Sequence, residues 1–67
     1  MSNRTRLTPR EREIAALVAR GFSNKQIARD LGLTLGTVKV HINHAFQKLE
    51  INNRTMLAMY HERNVDA

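Results

Sequence analysis

The sequence contains no cysteine and no tryptophan. Without thiols there is no disulfide framework, no thiolate nucleophile and no cysteine-ligated zinc, so a zinc finger is excluded. Two phenylalanines and one tyrosine are too few to build the base-stacking platforms of single-strand binders of the OB or RRM kind. No apolar run approaches the ~20 residues of a membrane span. The opening MSNRTR is too polar for a signal peptide, and the expected location is the cytoplasm. Proline occurs once, at Pro9, and glycine three times, at Gly21, Gly32 and Gly36; none of these makes a phosphate-cradling loop. Paired carboxylates and a Ser/His/Asp arrangement are also missing. A chain of 67 residues has little depth for a reaction pocket. The expectation is a non-enzyme with no cofactor and no membrane partner.

Acid is scarce as well. Six Asp and Glu stand against eleven Lys and Arg, for a formal charge of +5. That balance favours a polyanionic partner, nucleic acid before others. The length allows one domain that buries only about 60% of its unfolded surface.

Helix signals punctuate the chain at short intervals. Thr8 reads as an N-cap, with Pro9 at the first helical position and Glu11 three residues after the cap, which makes a capping box. Ile14, Leu17 and Val18 then fall on one face, and Gly21 closes the helix in a left-handed conformation. Ser23 with Gln26 forms a second capping box, followed by the apolar Ile27, Ala28 and Leu31 and a stop at Gly32. Leu33 packs in the turn. Thr34 caps a third helix over residues 35–49, whose apolar stripe is Val38, Ile42, Ala45, Phe46 and Leu49. A fourth helix is predicted from an Asn53 cap to about Glu62, with Ile51 and Leu57 closing the core. Residues 1–6 and 64–67 are predicted to be disordered termini around a domain spanning 7–63. With no sustained period-2 alternation, the fold class is all-α, four short helices.

Residues 23–49 thus form two capped helices around a tight glycine turn, a helix-turn-helix. Off the core stripe of the second of these helices lie Gly36, Lys39, Val40, Asn43 and Gln47, which share one face. In a helix-turn-helix the N-terminal part of this helix meets base edges in the major groove. Lys39 suits guanine O6 and N7 or a phosphate, Asn43 suits adenine N6 and N7, and the outward Val40 suits a thymine methyl. The alternative is an ordinary solvated helix face. Thr34 is first a cap, and its hydroxyl can serve a second time: Thr34, Thr37, the backbone N–H groups of the first turn and Lys25 are placed to hold a phosphate, because a helix N-terminus attracts anions. His41 borders the same face and is expected to contact a phosphate, and Lys48, near the end of the helix, is expected to neutralise another. His41 and His44, three apart, are too few to hold a metal without a third ligand, so no metal site is expected. On the fourth helix Met56, Met59 and Tyr60 exceed what one core face needs. They read either as core filling or as an apolar patch pairing two copies of the chain.

Taken together, LTPRERE (7–13), GFSNKQIA (21–28), GTVKVH (36–41), the leucine-ended third helix and the Asn53–Arg54 pair resemble the LuxR/FixJ-type DNA-binding domain. Within it the likeness is to the NarL-like output domain of bacterial response regulators, and it covers residues 7–63. The resemblance implies a four-helix, LuxR-type helix-turn-helix fold and sequence-specific binding of double-stranded DNA in a transcriptional regulator. It also implies base-facing positions at Lys39, Val40 and Asn43, backbone-contacting positions at Thr37 and His41, and dimerisation through the fourth helix. Three departures stand out. Asn43 replaces a frequent lysine and gives the chain its own site preference. Gly36 replaces a charged or polar residue, weakening the helix by up to about 1 kcal/mol relative to Ala. Glu50 stands where glycine is common, which counts against a positive-φ cap there. Two other readings remain open at this level: a sigma-factor region 4-like module that binds promoter DNA with RNA polymerase, and a helical protein-interaction module working through the fourth helix.

Overall fold

A computed structural model describes residues 6–64. It shows four helices, α1 (Pro9–Ala19), α2 (Asn24–Leu31), α3 (Leu35–Leu49) and α4 (Arg54–Asn64), and no strand among the described residues. Every helix start is fixed by a side chain. Thr8 Oγ1 accepts from the Glu11 N–H, and Glu11 Oε1 accepts from the Thr8 N–H at 2.9 Å. Ser23 and Gln26 repeat that reciprocal pair at the head of α2. Thr34 Oγ1 accepts from the Thr37 N–H, and Asn53 Oδ1 from the Met56 N–H. Each bond satisfies a donor that has no partner inside its helix.

The helix ends largely follow the glycines. Gly32 caps α2 at φ +69°, and Gly21 turns the chain at φ +90° just beyond the α1 cap residue, Arg20. Glu50 departs from the expectation. It adopts φ +56° and caps α3 in the left-handed region despite its side chain. The bonds that follow, from the Glu50 N–H to Gln47 O and from the Ile51 N–H to Phe46 O, hold the turn in that conformation. The last helix also runs beyond its expected end: Asn64 belongs to α4 rather than to a tail, and its side-chain amide donates to Tyr60 O at 2.8 Å. Of the termini predicted to be disordered, 1–5 and 65–67 lie outside the described residues.

The main helix packing runs in series: α4 lies on α1, α1 on α3, and α3 on α2. The core gathers Ile14, Leu17 and Val18 from α1, Ile27 and Ala28 from α2, Val38, Ile42 and Ala45 from α3, and Leu57 from α4. Leu31, Leu33, Phe46, Leu49 and Ile51 are half-buried around it. Leu7 and Ala15, absent from the predicted core, are buried in it. So is one charged side chain, Glu11, whose carboxylate accepts from Lys48 Nζ at 2.8 Å. No buried side-chain nitrogen or oxygen among the described residues lacks a hydrogen-bond partner.

Candidate nucleic-acid interface

The third helix turns its apolar stripe to the core and leaves a wide polar arc to solvent. At about 100° per residue, the order around that arc is Lys39, Asn43, Gly36, Gln47, Val40, His44, Thr37 and Lys48. All are exposed except Lys48, which is half-buried; His41 lies past it, half-buried at the border with the core. Val40 is 50% exposed near the middle of the arc, an apolar side chain flanked by amide, ammonium and imidazole groups. The sequence pattern had placed Lys39, Val40 and Asn43 together, and the structure brings them onto one exposed surface. His44, named from the sequence only in weighing a metal site, also belongs to this arc, one turn beyond Val40. The signal was present in its i, i+4 spacing from that residue.

The head of α3 is held by its two threonines. Thr34 accepts the Thr37 N–H and donates its own hydroxyl hydrogen to Thr37 Oγ1 at 2.9 Å. The Thr37 hydroxyl, as acceptor in that bond, keeps its own hydrogen for an outside partner. Neither α2 nor α3 carries an acidic residue in its first turn, whereas α1 does. The positive ends of the α2 and α3 dipoles are therefore uncompensated by carboxylate. Lys25 stands exposed in the first turn of α2. From Arg20 to Leu49 the only acid is Asp30, against Arg20, Lys25, Arg29, Lys39 and Lys48. The surplus positive charge of the chain is thus concentrated in the helix-turn-helix.

Lys48 departs from the other expected DNA contacts. It sits at the edge of the arc, about 13 Å along the helix from Lys39 at 1.5 Å per residue. Its ammonium is paired with the buried Glu11 carboxylate. Its charge thus serves to join the end of α3 to the start of α1. Nothing local in the sequence marks this pairing, because the partners are 37 positions apart.

Elsewhere the molecule offers little chemistry. Among the described residues, no three His, Asp or Glu groups converge on a metal position, and no helix is long and apolar enough to cross a membrane. Along α4, Met56 is 42% and Met59 48% exposed. They line a shallow open groove with Ile51, Tyr60, Arg63 and Asn64. Tyr60 also packs partly against the core, so it serves both as filling and as patch.

Comparison with known proteins places the chain. The family model for bacterial regulatory proteins, luxR family, matches residues 5–61. The nitrate/nitrite response regulator protein NarL of Escherichia coli strain K12 is 48% identical over 54 residues, covering 81% of this chain and 25% of that protein. The transcriptional regulatory protein LiaR of Bacillus subtilis is 47% identical over 58 residues, 87% of this chain and 28% of LiaR. The response regulator protein VraR of Staphylococcus aureus is 44% identical over 54 residues, 81% of this chain and 26% of VraR. The chain spans about a quarter of the length of these relatives.

Proposed function

This chain belongs to the luxR family of bacterial regulatory proteins, and we propose that it is a sequence-specific reader of double-stranded DNA acting in transcription regulation in the cytoplasm. The observation that carries the reading is the exposed arc of α3, with Lys39, Val40 and Asn43 projecting beside the acid-free heads of two helices. In the major groove, Lys39 donates to guanine or a phosphate, Asn43 pairs with adenine, and Val40 packs on a thymine methyl. The Thr37 hydroxyl, Lys25 and His41 hold the flanking phosphates, with Thr34 keeping the first turn in place. Lys48 is left out of this set, since its charge is paired within the fold. The chain has no part in catalysis on this reading; its work is recognition.

A salt titration tests the reading. Binding to duplex DNA is expected to weaken linearly on a log–log plot, with a slope of about −0.9 for each phosphate neutralised. A flat response, or no binding at low salt, sinks the proposal. Lys39→Ala and Asn43→Ala are each expected to lose about 1–3 kcal/mol on a duplex selected by the wild type from a random pool. Both should bind mixed-sequence duplex far more nearly as the wild type does. Equal losses on both duplexes would remove these residues from base reading.

Two copies are proposed to pair through α4, with Met56, Met59 and Tyr60 at the contact and two α3 helices about 34 Å apart, one turn of duplex. Met56→Glu with Met59→Glu should abolish cooperative binding to two half-sites while leaving affinity for one half-site unchanged. Both residues are exposed, so the fold itself should move by no more than about 0.5 kcal/mol per substitution. Unaltered cooperativity would place the contact elsewhere.

A further inference from the structure

Arg54 opens α4 yet reaches away from it. One guanidinium nitrogen donates to Asn24 Oδ1 at 2.6 Å, and the other donates to the backbone carbonyl of Phe22. These acceptors lie 30 and 32 positions earlier. They occupy the turn that leads into α2 and the first residue of α2 itself. The serial packing of the helices gives these bonds their weight. α4 rests on α1, and α2 rests on α3. Arg54 therefore supplies a direct strap from the start of α4 to the head of the helix-turn-helix. It is half-buried, and its planar fork serves two acceptors at fixed geometry, which a lysine cannot reproduce.

We propose that Arg54 is a positioning residue for DNA reading: it fixes the helix-turn-helix relative to α4, and through that the angle at which α3 meets the groove. The inference rests on the DNA-binding reading above. Arg54 touches no base and neutralises no phosphate; it acts through Phe22 and Asn24. Its charge, like that of Lys48, is spent inside the domain. A pair of copies joined at α4 would present its two α3 helices at a separation set partly by this strap.

The variants are Arg54→Met, Arg54→Lys and Asn24→Ala, measured well below their melting temperatures. The expected result for Arg54→Met is a fall of roughly 3- to 30-fold in the ratio of affinity for the selected duplex to affinity for mixed-sequence duplex, the range of a positional coupling. The salt slope should stay at the wild-type value, because no phosphate contact is lost. Arg54→Lys should recover only part of the ratio, and Asn24→Ala should lose less than Arg54→Met because the Phe22 carbonyl is still held. Residual dipolar couplings of the DNA-free domain supply a second arm. In Arg54→Met, α2 and α3 should reorient together relative to α4. Three results overturn the proposal: an unchanged affinity ratio with only a lower melting temperature, a salt slope shallower by about 0.9, which marks a direct phosphate contact, or unchanged couplings. Failure of the DNA-binding reading would show separately, as a wild-type domain without salt-dependent binding, and the couplings still decide whether Arg54 orients the helices.

Discussion

Replacing Leu57 with alanine is expected to cost about 3 kcal/mol, within the ~2–5 kcal/mol measured for buried Leu→Ala changes. Leu57 is the only buried residue of α4 and is fully inaccessible to solvent. The other large apolar side chains of that helix, Met56 and Met59, face outward, and Tyr60 is only half-buried. Leu57 is therefore the one fully buried anchor of α4, with Ala58 and Tyr60 packed partly against the core beside it. A domain of 67 residues has a total stability of only about 3–10 kcal/mol, so the loss removes about a third of it at the upper end of that range and all of it at the lower end. Urea titration checks this. The midpoint should fall sharply at nearly constant slope, since the surface exposed on unfolding hardly changes. Met59→Ala in the same helix should cost about 0.5 kcal/mol or less. If the two substitutions cost the same, α4 is not anchored through Leu57. DNA affinity measured where Leu57→Ala is still folded should be nearly normal. The same measurement where it is half-unfolded should fall only by the unfolded fraction, because Leu57 is buried in the core and takes no part in the exposed α3 arc.

Most of the local structure was legible because its causes are local. Thr8 with Glu11, Ser23 with Gln26, Thr34 and Asn53 mark four helix starts, since each side chain meets a backbone N–H three residues on. Gly21 and Gly32 take the positive φ that other residues resist. The apolar spacing of Val38, Ile42 and Ala45 fixes which side of α3 is turned inward, and the exposed arc follows by exclusion. What sequence did not reveal depends on residues far apart in the chain. Glu50 takes φ +56° because the chain after α3 must turn back so that Ile51 packs on the core. A carboxylate side chain gives no hint of that. Arg54 enters the sequence reading only as half of the Asn53–Arg54 pair, and only the fold brings Phe22 and Asn24 to it. Lys48 conceals its partner for the same reason. A lysine on the polar side of a helix in a basic protein gives no sign of the carboxylate 37 positions away with which it pairs.

That partner underlies the last expected result. Glu11 is 4% exposed and holds two donors with one oxygen, the Thr8 N–H at 2.9 Å and the Lys48 ammonium at 2.8 Å. Burial by itself would raise the carboxyl pKa. Burial is the largest single influence, but the Lys48 hydrogen bond, the bonds to Thr8 and the Lys48 charge together outweigh it, and the net direction is downward. Glu11→Ala removes two charge-assisted bonds, one of them the Glu11 half of the α1 capping box, while Thr8 Oγ1 still accepts the backbone N–H of residue 11; it also strands Lys48, which is near enough to the surface to turn to water. The expected cost is about 2–3 kcal/mol, below the ~3–5 kcal/mol of a wholly buried pair. Glu11→Gln is the sharper variant. Gln26 already performs the same capping at the head of α2, so glutamine keeps the geometry and loses the charge. Its cost should be about 1 kcal/mol, the difference between a charge-assisted and a neutral bond. The two proteins should also diverge with pH. Because folding lowers the Glu11 pKa, its stabilisation is complete above the unfolded value of ~4.3 and is lost as pH falls through the lower folded value. Wild-type stability should therefore drop more steeply than that of Glu11→Gln from about pH 5 downward, and the gap between them should close in acid. Parallel pH profiles would mean that the Glu11–Lys48 pair is geometrically present but energetically idle. The α1–α3 junction that backs the reading helix would then rest on apolar packing alone.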